Sequence, residues 1–151
     1  MVKYKPIKKL CNDPGKSIIL CQILKTGKFF VVKKESNLRS AKTEIRTLLT
    51  LKKLNLENVI KLFGFRTANN KKCFDKNSKK YDHYKLLLEY CNYSDFFDFI
   101  QSIGGFKNMK EGGMYAKILF TQIVKTLSEI HNKIGLCHGD IKPENIFLKK
   151  N

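Results

Sequence analysis

From Cys137 to Asn151 the sequence reads CHGDIKPENIFLKKN. Within eight positions it brings together an imidazole, His138, a carboxylate, Asp140, an ammonium, Lys142, and a carboxamide, Asn145. The set has the look of a catalytic loop, one that works by positioning groups and balancing charge. Its place at the end of the sequence raises the question of which elements hold it.

Other chemistries have less support. The five cysteines, Cys11, Cys21, Cys73, Cys91 and Cys137, are odd in number and widely spaced, with no C-x-x-C pair and no Cys/His metal spacing. Reduced thiols in an intracellular, cytoplasmic protein are the simplest expectation. There is no apolar signal-peptide core near the N-terminus, and no apolar run approaches the roughly 18 residues of a membrane span. Thirty Lys+Arg against 13 Asp+Glu give a formal charge of +17, which favours polyanions in general. The lysines are scattered, however, and the densest run, NNKKCFDKNSKK at 69–80, lacks the interleaved aromatic residues suited to stacking bases. A solvated basic surface is expected rather than a dedicated nucleic-acid site.

The hydrophobic period changes in an orderly way along the 151 residues, of which 42% are hydrophobic. SIILCQIL (17–24) and FFVVKK (29–34) are short β-type runs joined by KTGK, predicting a hairpin with Gly27 in the turn. SAKTEIRTLLTLKKL (40–54) spaces Ile45, Leu48, Leu49 and Leu54 as a helix with one buried stripe. NVIKLFGF and HYKLLLEY read as two more strands around the polar stretch 67–82, and DFFDFIQSI as a short helix. GGFKNMKEGG (104–113) is a loop, and YAKILFTQIVKTLSEIHNK (115–133) is the strongest helix, with Tyr115, Leu119, Ile123, Leu127 and Ile130 on one face.

With these elements in place, HGDIKPEN resembles the protein-kinase catalytic loop H-R-D-L-x-x-x-N at His138, Asp140 and Asn145, in its Ser/Thr-kinase form. TGKFFVVKK resembles the family's third strand, LENVIKL its fourth, and YKLLLEYCNYSDFFDFI its fifth strand, hinge and following helix. The whole chain follows the family's order. The resemblance implies an α+β kinase-like fold: a five-stranded antiparallel sheet with one helix and the hinge over 1–91, and an incomplete helical lobe over 92–151. It implies ATP and Mg2+ as cofactors and a protein substrate or partner. By the same resemblance Asp140 would accept or orient the substrate hydroxyl proton, Lys142 would sit near the transferred phosphate, and Asn145 would hold magnesium. Lys33 would reach the α/β-phosphates with Glu44 as its partner, Leu88 would be the gatekeeper, the backbone of Glu89 and Cys91 would bond adenine, and Asp95 would contact the ribose. His131 and His138 would be structural.

Departures from the family are equally specific. Against G-x-G-x-x-G-x-V, the run CNDPGKSI puts Cys11, Asp13 and Lys16 at the glycine positions and Ile18 at the valine. Asp13 would bring negative charge towards phosphates, Pro14 removes an N–H, and Lys16 offers a compensating charge. Counting back from LENVIKL by the usual spacing lands on Thr47, one helical turn past Glu44. A small insertion before the fourth strand would restore Glu44, and without it the ion pair is missing. Gly139 replaces the arginine of H-R-D. No D-F-G or A-P-E occurs, so the expectation is a kinase truncated before D-F-G: a fragment, a truncated gene model or a short relative. The alternative is an inactive, pseudokinase-like module that binds a protein partner through apolar surface on helix 115–133 and around Phe96, Phe97 and Phe99.

Overall fold

The structure is a computed structural model that describes residues 3–11, 16–68 and 83–150. In chain order the elements are β1 (Tyr4–Cys11), β2 (Lys16–Ile23), β3 (Phe29–Glu35), α1 (Leu38–Leu54), β4 (Leu62–Ala68), β5 (His83–Leu88), α2 (Phe96–Ser102) and α3 (Gly112–Ile134). Two single 3-10 turns occupy Phe106–Asn108 and Pro143–Asn145. The chain divides into two compact units, Met1–Asn55 with Ile60–Tyr90, and Leu56–Val59 with Cys91–Asn151.

The first unit is a five-stranded sheet of order β1-β2-β3-β5-β4, every neighbouring pair antiparallel. The β2–β3 turn carries Gly27 at φ +69, a conformation glycine adopts without a steric penalty, and Gln22 donates to the Gly27 carbonyl at 3.0 Å. β3 is buried on both faces. Val31 joins Ile45, Leu62, Leu86 and Leu88 on the side of α1, while its neighbours Phe30 and Val32 join Cys21 on the other side. β1 was not legible as a strand in its own right, because it lies at the edge of the sheet and its side chains are mostly exposed.

Helix α1 starts at Leu38, two residues earlier than expected, because Asn37 caps it: its side-chain oxygen accepts from the N–H groups of Arg39 and Ser40. The buried stripe is Ala41, Ile45 and Leu51, with Leu48 half-buried. Leu49, about 100° round the helix from Leu48, is 40% exposed and stands off the stripe. β4 begins at Leu62, later than the run NVIKLFGF suggested. The intervening 56–59 segment belongs to the second unit, where Asn58 donates to the Thr126 hydroxyl at 3.2 Å.

In the second unit Phe96 is buried, with the rings of Phe99 and Phe106 6.4 and 5.9 Å away. The expected exposed Phe96/Phe97/Phe99 cluster is therefore corrected: only Phe97 is exposed, because α2 turns the other two rings inward. The 104–113 loop contains the Phe106–Asn108 turn, and α3 begins at Gly112 rather than Tyr115. A Cβ on Gly112 would lie 1.8 Å from the Phe106 carbonyl oxygen, so only glycine fits there. Along α3, Ile130 is buried and Leu119, Ile123 and Leu127 are half-buried, whereas Tyr115 is exposed. Met114, Ile118, Phe120 and Val124 form a further exposed apolar set. Among the described residues no helix is long and apolar enough to cross a membrane.

Two substitutions test this packing by chemical denaturation. Leu86→Ala, at a fully buried position, is expected to lower stability by about 2–5 kcal/mol. Gly112→Ala is expected to destabilise the second unit although alanine is the better helix former, because the Phe106 backbone must move.

Candidate active site

Two groups of candidate residues form, one in each unit. In the first, strand alternation sends Lys33 to the same face as Val31, towards α1. Glu44 precedes Ile45 on that helix and meets Lys33 there, with Nζ 2.7 and 2.8 Å from the two carboxylate oxygens. Both side chains are about three-quarters buried, at 22% and 27% exposure. The partner is thus Glu44 and not Thr47. β4 begins at Leu62, later than the start of the run from which that spacing is counted.

Leu88 is buried, paired with Val31 on β3 and with Leu62 on β4. The Glu89 N–H donates to the Lys61 carbonyl at 2.9 Å, and the Glu89 carboxylate accepts from the Lys61 N–H at 3.3 Å. Cys91, half-buried, opens the second unit. Of the positions aligned with the glycine loop, Cys11 ends β1 and Lys16 begins β2, while Asp13, Pro14 and Gly15 lie outside the described residues, as do Cys73 and the run 69–80.

In the second unit the HGDIKPEN loop is held at both ends. Upstream, α3 stops at Gly135, left-handed at φ +61, whose N–H returns to the His131 carbonyl. Downstream, a short antiparallel seam ties the chain to the segment before α2. Leu148 N–H donates to the Ser94 carbonyl and Phe96 N–H to the Ile146 carbonyl, each at 2.8 Å, with Asp95 opposite Phe147. The Asn92 side chain clasps Lys150, accepting from its N–H at 2.9 Å and donating to its carbonyl at 3.2 Å. Asn92 and Ser94 were not singled out in the sequence. Their partners lie more than fifty residues away, and no local pattern announces such pairs. Asp95 caps α2, accepting from the Asp98 N–H at 2.9 Å.

Between these anchors Asp140 is the focus. Asn145 donates from its amide nitrogen to the Asp140 carbonyl at 2.9 Å and to its Oδ2 at 2.8 Å. Lys142 Nζ stands 3.3 Å from the same oxygen, and the Asp140 N–H donates to His138 Nδ1 at 3.3 Å. Pro143 starts the 3-10 turn that brings Asn145 back, its ring fixing φ where the turn needs it. Gly139, at φ +77, occupies a conformation that an L side chain adopts only with strain. Hydrogen bonds from Asn145 and then Lys142 hold the Asp140 carboxyl below its ordinary value of 3.8, against a small opposing effect of desolvation.

Both Asn145 bonds use the amide nitrogen, which keeps the amide oxygen as the acceptor available to a hard cation. No cluster of three metal-ligating side chains occurs among the described residues.

The Asp140 shift has a direct check. A folded carboxyl value below the unfolded one gives stability that is present above the unfolded value and lost as pH falls through the folded one. Carboxyl NMR titration is expected to place the Asp140 midpoint below the ordinary aspartate value. Asn145→Ala should raise that midpoint more than Lys142→Met does, following the order of the two contributions.

The protein kinase domain family matches residues 14–151. The serine/threonine-protein kinase PKH1 of Saccharomyces cerevisiae is 33% identical over 98% of the chain, and the protein kinase gsk31 of Schizosaccharomyces pombe is 27% identical over 97%. The chain spans 18% and 36% of these relatives' lengths. A crystal structure of Rad53 1-466 in complex with AMP-PNP superposes with a TM-score of 0.71 at 24% identity, covering 98% of this chain and 35% of that one, so the fold is kinase-like. On the extent of the family match and the likeness of its relatives, the chain belongs to the protein kinase domain family.

Proposed function

We propose that the chain carries part of the ATP- and magnesium-dependent phosphoryl-transfer machinery of a serine/threonine protein kinase acting on protein hydroxyls. The observation that carries this reading is the Asp140 carboxylate, exposed yet fixed by Asn145 and Lys142. An exposed, ionised and oriented carboxylate suits a base that receives or aligns a hydroxyl proton. Lys142, beside it, supplies positive charge where a transferred phosphoryl group is negative. The AMP-PNP bound by the kinase-like Rad53 supports a nucleotide ligand here.

In this reading the transition state is loose, and the chain's work is placement and charge balance. Lys33 neutralises the α/β-phosphates, and Glu44 holds its ammonium in one position. The backbone of Glu89 and Cys91 takes adenine, Leu88 borders it, and Asp95 meets the ribose, sharing its carboxylate with the α2 cap. Bound magnesium would neutralise phosphate charge, with the Asn145 amide oxygen as its ligand from this chain. Asp140 orients the acceptor hydroxyl or takes its proton. Gly139 replaces the family arginine, so regulation through that side chain is absent from this scheme.

A second reading has its own observation. Met114, Ile118, Phe120 and Val124 expose apolar surface on α3, which favours a non-catalytic module that binds a protein partner.

The two readings separate in a phosphate-incorporation assay on the protein isolated from its source, with magnesium and labelled ATP. The catalytic reading expects transfer to serine or threonine that falls by at least about 10²-fold in Asp140→Asn and also falls in Lys33→Met, with both variants folded. Absence of any transfer that depends on Asp140 would overturn it and leave the partner-binding module.

A further inference from the structure

β1 and β4 are the outermost strands of the sheet. Four interstrand spacings would part them by about 19 Å if the sheet were flat. Yet Arg66 on β4 donates from Nη2 to the Tyr4 hydroxyl on β1 at 3.1 Å. The two long side chains cover part of that span and curling of the sheet covers the rest. The face it curls round is the one opposite α1, where Cys21, Phe30 and Val32 are buried.

One row of directly opposed residues crosses this face. Ser17 on β2 faces Lys34 on β3, Lys34 faces Lys85 on β5, and Lys85 faces Arg66 on β4. Opposed residues share a face and stand about 5 Å apart, so three cations line up beside a hydroxyl at a cost in mutual repulsion. Among the described residues no acidic side chain forms an ion pair with any of the three. Burial, and then the charges of Arg66 and Lys34, hold the Lys85 ammonium below its ordinary value. In the adjoining row Gly64 stands opposite Leu87, and a Cβ there would meet nothing within 4 Å, which leaves open space beside the cations.

We propose that the row Ser17–Lys34–Lys85–Arg66 is a docking site for a phosphorylated side chain of a protein partner. A phosphate monoester carries a charge of about −1.5 to −2 and three strong acceptor oxygens, which matches three aligned cations better than a single carboxylate does. Nucleic acid fits less well: on this face Phe30 is buried and the Tyr4 hydroxyl is engaged by Arg66, so neither of these two rings is open to stack a base. Lys33 and Glu44 lie on the opposite face, so the site stands apart from the proposed phosphoryl transfer.

The test measures fluorescence anisotropy of labelled short peptides with one fixed phosphoserine, against the 151-residue chain at physiological salt. Binding is expected for the phosphorylated pool and not for its unphosphorylated twin, with a loss of at least about tenfold in the triple variant Lys34→Gln, Lys85→Gln, Arg66→Gln. Lys85→Met keeps the aliphatic stem and removes the central charge. It should melt no lower than the parent chain and show a similar loss, which decides the matter if the triple variant fails to fold. Lys107→Gln, in the second unit, should bind as the parent does. Equal binding of the unphosphorylated twin, equal protection by inorganic phosphate alone, tighter binding of a single-stranded oligonucleotide through the same residues, or binding that survives Lys85→Met would each overturn the proposal.

Discussion

A strand buried on both faces sends its side chains to two different places, and in this chain that constraint falls on β3. Val31 must fill the cluster beneath α1 while Phe30 and Val32 fill the curled face behind it. A slip of one residue would exchange the two sets, so the register is strongly specified. Lys33 follows on the face of Val31 and is delivered to Glu44 as a consequence of packing. Lys34 follows on the other face and enters the cationic row with Lys85 and Arg66. One strand thus sets an ion pair on one side of the sheet and a row of cations on the other.

The HGDIKPEN loop in the second unit rests on a different physical basis. It has little regular structure, and Asp140 is largely exposed, so apolar burial cannot fix it. Hydrogen bonds replace packing: the Asn145 amide binds both the backbone and the side chain of Asp140, and Lys142 supplies charge to the same oxygen. Such bonds to a charged acceptor are among the stronger ones available to a solvent-facing loop. The aromatic group of Phe96, Phe99 and Phe106 provides a rigid base nearby in the same unit, through α2 and the seam that joins it to Ile146 and Leu148.

Legibility in the sequence followed the range of the interaction. The β2–β3 hairpin, α1, the short α2 and the long α3 could be read because their signals are local: alternation, a glycine turn, a helical stripe. The spacing of Asp140, Lys142 and Asn145 was legible for the same reason. β1 could not be read, since an exposed edge strand has no buried face to mark its period. The Lys33–Glu44 pairing was ambiguous from spacing because it depends on where β4 begins, and that is fixed by tertiary packing. The Asn92–Lys150 clasp left no local trace, and the same holds for the cross-strand row, whose members lie on four strands.

That clasp bears on the order in which the chain folds. Asn92 and Lys150 are 58 residues apart, and Ser94 pairs with Leu148 across almost the same interval. Closing so long a loop loses chain entropy before any contact compensates for it, whereas α2, α3 and the β2–β3 hairpin need only local contacts. The seam should therefore form late, after the helices that flank it, and open first when the native state fluctuates. The loop bearing Asp140 would then be the last part of the second unit to acquire its structure, and its amide hydrogens the earliest there to exchange with solvent.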